Sequence, residues 1–280
     1  APSWLSMYPA SGAIPGTLPA EASQRTNTGT PGESLLTITG TDPDGASVTT
    51  TVTLTVLNLA PVAVDDTASV GEDTLSVSGN VITDPTTGDA DTAPDSDPLT
   101  VTAAEQAGSA LTLDQPFTTA GGGVLTLSAS GAYTFKPGTA YNGLDAGETA
   151  TETVAYTVSD GNGGTAQATL AISIIGANDA PVVVDPANPG TPSNPVAATD
   201  PHNIIPDVAT TDGAPLAPIN VGSYIVDPDG EPRSFTLSPT TPSWVVIDLA
   251  TGIITGTPPA DASQLTNTGN PGEYLITITA

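Results

Sequence analysis

Closely spaced carboxylates, with proline or glycine beside them, are the chemistry that recurs along this chain. Asp-Pro-Asp-Gly stands at 42–45 and again at 227–230, Asp95-Ser96-Asp97 lies between them, and Asp160 heads the run Asp-Gly-Asn-Gly-Gly. Such oxygens suit hard cations: Ca2+ takes six to eight carboxylate, carbonyl and water ligands in a tolerant geometry. With no cysteine and one histidine, His202, softer metals find little to hold. An isolated Asp-Pro-Asp-Gly needs no metal, because it is also a good type I turn. Charge favours the cation. Thirty acidic residues face three basic ones (Arg25, Lys136 and Arg233), giving a net charge of −27 over 280 residues. Such a chain repels nucleic acid, anionic membrane surfaces and itself, and bound cations are the natural offset.

The elements that hold these acids are strands. In "TTTVTLTVL", Val52, Leu54 and Val56 share one face and the threonines the other; Leu170, Ile172 and Ile174 repeat the pattern, as do Val154, Tyr156 and Val158. Alternation at period two, broken by Gly, Pro and Asp clusters every ten or so residues, predicts strands with one buried face. The fold expected is all-β: tandem Greek-key immunoglobulin- or cadherin-like sandwiches. Trp4 and Trp244 are expected in strands, packed into cores. No apolar run is long enough to span a bilayer and no signal peptide is visible, so any targeting signal is expected upstream of Ala1.

Residues 1–40 and 241–280 match without a gap, Trp244 standing 240 positions after Trp4. A repeat in such strict register marks an array. The two Asp-Pro-Asp-Gly segments are 185 apart, so they are different elements. The first tips a domain's last hairpin; the second is an early inter-strand loop. In a seven-strand sandwich these two loops lie at the same pole. The expected division is 1–59, the C-terminal part of one domain; 60–180, a complete domain; and 181–280, a domain lacking its last strand. The linkers "NLAPV" (58–62) and "NDAPV" (178–182) join them, each stiffened by proline.

Two families are resembled. "PSWVVIDLATGIITGTPPADASQ", with "TDPDGASVTTTVTLTVLNLAPV" from the other end, is similar to the dystroglycan-type cadherin-like (immunoglobulin-like) repeat. Residues 60–180 resemble the VCBS-type cadherin-like repeat through "APVAVDDTASVGEDT", "GNVITD" and "YTVSDGNGGTA". Together they imply tandem repeats of a bacterial RTX-type adhesin, extracellular at the cell surface or secreted, stiffened by Ca2+ at each linker. The scheme of such repeats assigns ligands from both sides of a linker. At the first linker it implies Glu21 and Glu33 below, Asn58 within, and Asp95, Asp97 and Asp160 above. At the second it implies Asp145 and Glu148 below, Asn178 and Asp179 within, and Asp227 and Asp229 above, with Glu72 joining the lower set. Asp42 and Asp44 would serve a preceding junction. Asp65, Asp66, Asp89 and Asp91 read as solvated loop acids or secondary ligands.

Other signals are weak. "DADTAPDSD" places Pro94 where an EF-hand loop needs glycine. His202 has no nearby Ser/Asp partner, and Lys136 at a strand end reads as a surface residue. No nucleophile–base pair, phosphate loop or catalytic metal spacing is present, so an enzyme is not expected. The expected role is a calcium-rigidified extender whose partners are neighbouring repeats of the same or another chain, without nucleic acid or membrane insertion. One alternative is a filament subunit assembled head to tail, with residues 41–59 of one copy completing 181–280 of another. Another is a carbohydrate- or protein-binding module, which the 4% aromatic content does little to support.

Overall fold

The structure is a computed structural model that describes residues 3–8, 11–84, 90–191, 194–195, 205–266, 268 and 271–280. His202 and Asp89 lie outside the described residues. All of the regular structure described is β, with four short 3₁₀ turns and no α-helix.

The order of elements begins with a hairpin, β1 (Glu33–Thr41) and β2 (Ser47–Thr55), in register from Glu33↔Thr55 to Thr41↔Ser47. The middle region follows with β3 (Asp66–Gly71), β4 (Val77–Asn80), β5 (Thr100–Gln106), β6 (Ser109–Leu111), β7 (Phe117–Thr118), β8 (Val124–Leu127), β9 (Ala132–Lys136), β10 (Thr149–Ser159) and β11 (Thr165–Ile175). These form two sheets, ordered β3-β11-β10-β5-β6 and β4-β9-β8-β7, with β3 parallel to β11 and every other pair antiparallel. The alternation read in the sequence is realised in the two long strands. Val154, Tyr156 and Val158 of β10 and Leu170, Ile172 and Ile174 of β11 are buried against Leu125, Leu127 and Phe135 of the facing sheet. Each such side chain contributes about 1.5–3 kcal/mol by leaving water.

The hairpin is different. Val52 lies opposite Leu36, and Leu54 opposite Ser34, so the apolar face exists as read. Val48 and Val52 on it nevertheless remain exposed, at 74% and 47%. Residues 3–8 and 11–16 cover only the Leu36–Ile38 end, held by the Leu5↔Gly16 bridge.

The C-terminal region is built from short pairings. Val182–Val183 pairs with Ile225–Val226; Ile219–Asn220, Ile253–Gly256 and Val245–Ile247 form one small sheet; Thr236–Leu237 pairs with Ile278–Thr279. Its core gathers Leu216, Val221, Ile225, Phe235, Val245, Ile247 and Ile254. The sequence repeat is also a repeat of backbone hydrogen bonds. Gly32 N–H donates to Arg25 O as Gly272 N–H does to Leu265 O, and Gln24 to Glu21 as Gln264 to Asp261. The tryptophans depart from expectation: both sit in turns, Trp4 just ahead of the isolated Leu5 bridge and Trp244 just ahead of the Val245–Ile247 strand. Trp244 still packs on its core, edge-to-face with Tyr274 at 5.5 Å.

Candidate metal centres at the two linkers

The first linker brings together the DxD loop and the last hairpin tip of the middle region, as strand order predicts. The β10–β11 turn closes on Asp160, whose Oδ1 accepts N–H groups from Asn162 (2.8 Å) and Gly164 (2.9 Å). Asn162 Nδ2 then donates to Asp97 Oδ2 at 2.6 Å, joining tip to loop. Asp95 and Asp97 are set apart by Ser96, whose φ of 66° lies in the left-handed region. Turns of this kind leave short polar residues free to aim away from the strand.

Groups from below the linker reach the same acids. Asn58 Nδ2 donates to Asp160 Oδ2 at 2.7 Å, Ser23 Oγ approaches Asn58 Oδ1 at 3.4 Å, and Gln24 Nε2 donates to Asp97 Oδ1. Asp160 is therefore ionised easily. Burial works to raise its pKa, but the donors of Asn162, Asn58 and Gly164 outweigh that and hold it low. Asp95 is the exception: it is 7% exposed and neither carboxylate oxygen has a hydrogen-bond partner. Leaving a buried charge unpaired is costly, so such a group calls for a cation. Of the lower acids implied for this linker, Glu21 is exposed and ion-paired with Arg25 at 3.2 Å, and Glu33 is half-buried at the start of β1. No described hydrogen bond joins either to Asp95, Asp97 or Asp160.

The second linker is held chiefly by backbone donors. Glu72, 2% exposed at the end of β3, accepts Ala177 N–H on Oε1 at 2.6 Å. Asp229 Oδ2 accepts Asp179 N–H at 2.8 Å, and Asp227 Oδ1 accepts Asp229 N–H at 3.1 Å, so the second Asp-Pro-Asp-Gly loop reaches back to the linker. Below, Gly176 N–H donates to Glu148 O at 2.9 Å, and Glu148 N–H to Asp145 O at 2.8 Å. Asn178 is exposed, its amide on Asp179 O. Burial raises the pKa of Glu72 despite the Ala177 bond, with the charges of Asp179, Asp73 and Asp229 adding to it. Asp179 is raised likewise, by burial and then by Asp73, Asp229 and Asp227. Glu72 Oε2, Asp145 Oδ1 and Asp229 Oδ1 are buried and unpartnered.

Orphaned carboxylate oxygens thus concentrate at the linkers. Six are found among the described residues; five belong to Asp95, Glu72, Asp145 and Asp229. The donor chemistry fits Ca2+. Among the described residues, however, no three His, Asp or Glu side chains are already gathered closely enough to hold a metal ion. The first Asp-Pro-Asp-Gly stands apart, an exposed hairpin tip whose Asp42 Oδ1 accepts N–H groups from Asp44 and Ala46. Four contributors escaped the sequence reading: Ser23, Gln24, Asn162 and Asp73. Only Asp73 carried a visible signal, its place beside Glu72. Asp66 and Asp91, read in the sequence as solvated loop acids or secondary ligands, are buried at 2% and 8% exposure, so they are not solvated.

Residues 58–176 match the bacterial cadherin-like domain, and residues 194–280 match the family described as "Putative Ig domain". Each match covers less than half of the chain, so one stretch is similar to a cadherin-like module and the other to an Ig-like one. Solved structures with similarity include the protocadherin gammaB4 extracellular domain, at 16% identity and TM-score 0.35, covering 92% of this chain and 39% of that one. The human desmocollin-1 ectodomain matches at 15% and 0.36, covering 99% of this chain and 48% of that one. Mouse protocadherin-24 EC1-3 matches at 16% and 0.37, covering 95% and 77%. The chain thus spans less than half the length of the first two. Curated protein sequences give no significant match. No helix of the described residues is long and apolar enough to cross a membrane.

Proposed function

We propose that this segment is a calcium-rigidified structural extender of a large, repetitive bacterial surface adhesin. Its task is mechanical: to hold an adhesive tip away from the cell. The observation that carries this reading is Asp95, a buried carboxylate with no hydrogen-bond partner on either oxygen, two residues from Asp97, which is already tied across the linker to Gln24. Cadherin-like domains generally bind Ca2+, and the donor set here is all oxygen. At the first linker Asp95, Asp97, Asp160 and Asn58 would hold the ion. At the second, Glu72, Asp145, Asp179, Asp227 and Asp229 would do so. Because these groups are not yet gathered as a cage, binding would draw them together, and that ordering is what stiffens the rod. A ligand that binds only the ordered state stabilises it by mass action.

The test is small-angle scattering with thermal melting in millimolar Ca2+ and in chelator. An elongated particle that becomes more compact or flexible, with a lower Tm, is expected on chelation. Identical profiles and melting curves would remove the mechanism.

A further inference from the structure

The 240-residue repeat places the same half-core in the molecule twice, and among the described residues only one copy is covered. In the C-terminal region Val245, Ile247 and Ile254 pack with Leu216, Val221, Phe235 and Leu237. Their counterparts 240 positions earlier are Leu5, Met7 and Ile14. The backbone is the same: Leu5 bridges Gly16 as Val245 pairs with Gly256, and Gly12 N–H donates to Tyr8 O as Gly252 N–H does to Asp248 O. The cover differs. Ile247 and Ile254 are 9% and 2% exposed, whereas Met7 and Ile14 are 44% and 38% exposed. With Leu5, Leu36 and Ile38 they line an open cleft of about 180 Å3. A Cβ on Gly252 would stand 3.1 Å from Phe235 Cζ and from Val221 Cγ2, while one on Gly12, at nearly the same φ, meets nothing within 4 Å.

A strand with one unused side edges this cleft. Among the described residues β1 pairs only with β2. Asn27 takes both backbone groups of Leu35: its Nδ2 donates to Leu35 O at 2.9 Å, and its Oδ1 accepts Leu35 N–H at 2.7 Å. Backbone groups along a strand alternate between its two edges, so those of Thr37 and Thr39 also point away from β2. The C-terminal copy uses the same edge. Thr277, the counterpart of Thr37, accepts Ser238 N–H at 2.9 Å, and Leu237 lies opposite Ile278, the counterpart of Ile38. A segment like 236–238 thus has a register prepared for it on β1.

Charge does not oppose such a contact. Residues 3–8, 11–16 and 34–40 carry no charged side chain, and neither do 213–226 or 234–247, in a chain with 30 acids among 280 residues. Repulsion between two copies falls elsewhere on their surfaces.

We propose that the Leu5–Met7–Ile14 cleft and the outer edge of β1 receive residues 213–238 of a second copy of this chain, Phe235 entering the cleft and Leu237 lying opposite Ile38. In the donor this segment leaves its own 245–279 half, so one set of contacts is exchanged for a near-equivalent. The gain is in the strand: β1 runs nine residues and is backed by β2, whereas 278–279 form a strand of two. The contact adds a strand to an open edge. Giving and receiving surfaces differ, so the contact runs head to tail and does not close on itself. It uses no carboxylate and no metal, and so stands apart from the calcium reading.

The full chain has no cysteine, so a designed pair reports the contact. Opposed residues of the kind that Ile38 and Leu237 would form stand about 4.5 Å apart at Cα, within reach of a disulfide. Ile38→Cys with Leu237→Cys, warmed mildly and oxidised, is expected to give a ladder in steps of 27.6 kDa. Val48→Cys with Leu237→Cys, its first site exposed on β2, is expected to give about tenfold less, because nothing holds those sulfurs in disulfide geometry. Crosslinks confined to single chains, or equal ladders from the two pairs, overturn the proposal. If Leu237→Cys unfolds its own region, sedimentation of wild type against Ile38→Asp decides. The wild-type average mass should rise with concentration and that of Ile38→Asp should not, in Ca2+ and in chelator alike. A wild-type chain that stays monomeric up to millimolar concentration after warming, or that associates only with Ca2+, overturns the contact.

Discussion

The two linkers solve the same electrostatic problem with different donors. At the first, side-chain amides of Gln24, Asn58 and Asn162 point their N–H groups at Asp97 and Asp160. Neutral dipoles there take over part of what a cation would do, and one acid, Asp95, is left unserved. At the second, burial and then the charges of Asp179, Asp73 and Asp229 raise the pKa of Glu72, and burial and then Asp73, Asp229 and Asp227 raise that of Asp179, while Glu72 and Asp229 each accept a single backbone N–H. A hydrogen bond to a charged acceptor contributes about 1.5–3 kcal/mol net, so the first linker has an internal scaffold without metal and the second largely lacks one. On the function proposed above, the second linker is therefore expected to be the more cation-dependent hinge.

The largest expected effect is that of chelation itself. At Ca2+ a hundredfold above its dissociation constant, each site contributes about 2.7 kcal/mol, and removing it should lower the Tm measured by calorimetry. Hydrogen exchange during chelation should rise more at 177–182 and 225–230 than at 58–62. Equal increases would erase the distinction between the linkers.

Substitution separates the two next. In chelator, Asp160→Ala strips the acceptor from Asn58, Asn162 and Gly164 and is expected to cost about 2–3 kcal/mol in urea unfolding. Asp229→Asn removes a repulsive charge and should be neutral or slightly stabilising in chelator, while becoming destabilising once Ca2+ is present. If Asp229→Asn is equally harmful in both conditions, repulsion is not what limits the second linker.

Glycine contacts give a smaller effect confined to one side. A Cβ on Gly164 would strike the Asp160 carboxylate and come within 2.9 Å of Ala60 Cα and Asn58 Nδ2. Gly164→Ala should cost about 1–3 kcal/mol. Gly230, at φ 78° with open space around its Cβ, meets only the backbone penalty of about 1–2 kcal/mol. Matching losses in thermal melts would mean that the close packing at the first linker matters little.

Acidity should produce the mildest response, with opposite signs. Glu72 and Asp179 have raised folded-state pKa values, so their destabilising effect is absent below the unfolded value and grows as pH rises through the folded one. Metal-free protein should thus gain stability as pH falls through those raised folded-state values toward the ordinary carboxylate range, by at most about 1.4 kcal/mol per unit for each proton taken up. Asp160, held low, keeps its contribution above the unfolded pKa and loses it only as pH falls through its folded value. A Tm in chelator that only drops as pH falls from neutrality to the ordinary carboxylate range, with no rise anywhere, would contradict the raised values of Glu72 and Asp179.

Much of the fold was legible because strands announce themselves locally. Val154, Tyr156 and Val158 alternate within five residues, and β10 and β11 bury the face that pattern names. The hairpin shows the limit. Val48 and Val52 carry the same pattern as buried strands, yet they are exposed, because alternation says which face is apolar and nothing about whether another sheet covers it. The candidate sites divide in the same way. The DxD loop, the hairpin tip and the Asp227–Asp229 loop could be named from acid spacing and strand order. Gln24, Ser23 and Asn162 could not, since neutral polar residues in turns are commonplace and these gain meaning only from what they meet.

The sequence by itself determined an all-β chain, a 240-residue repeat and a surplus of carboxylates at the ends of strands, since periodicity, identity and charge are local or additive properties. Which acids are satisfied and which are stranded was decided by tertiary structure alone. Gln24 meets Asp97 across 73 residues and Asn58 meets Asp160 across 102, while Asp95 is buried with no donor on either oxygen. The physical reason is that desolvation and hydrogen-bond satisfaction depend on neighbours in space, and the folded chain chooses those neighbours.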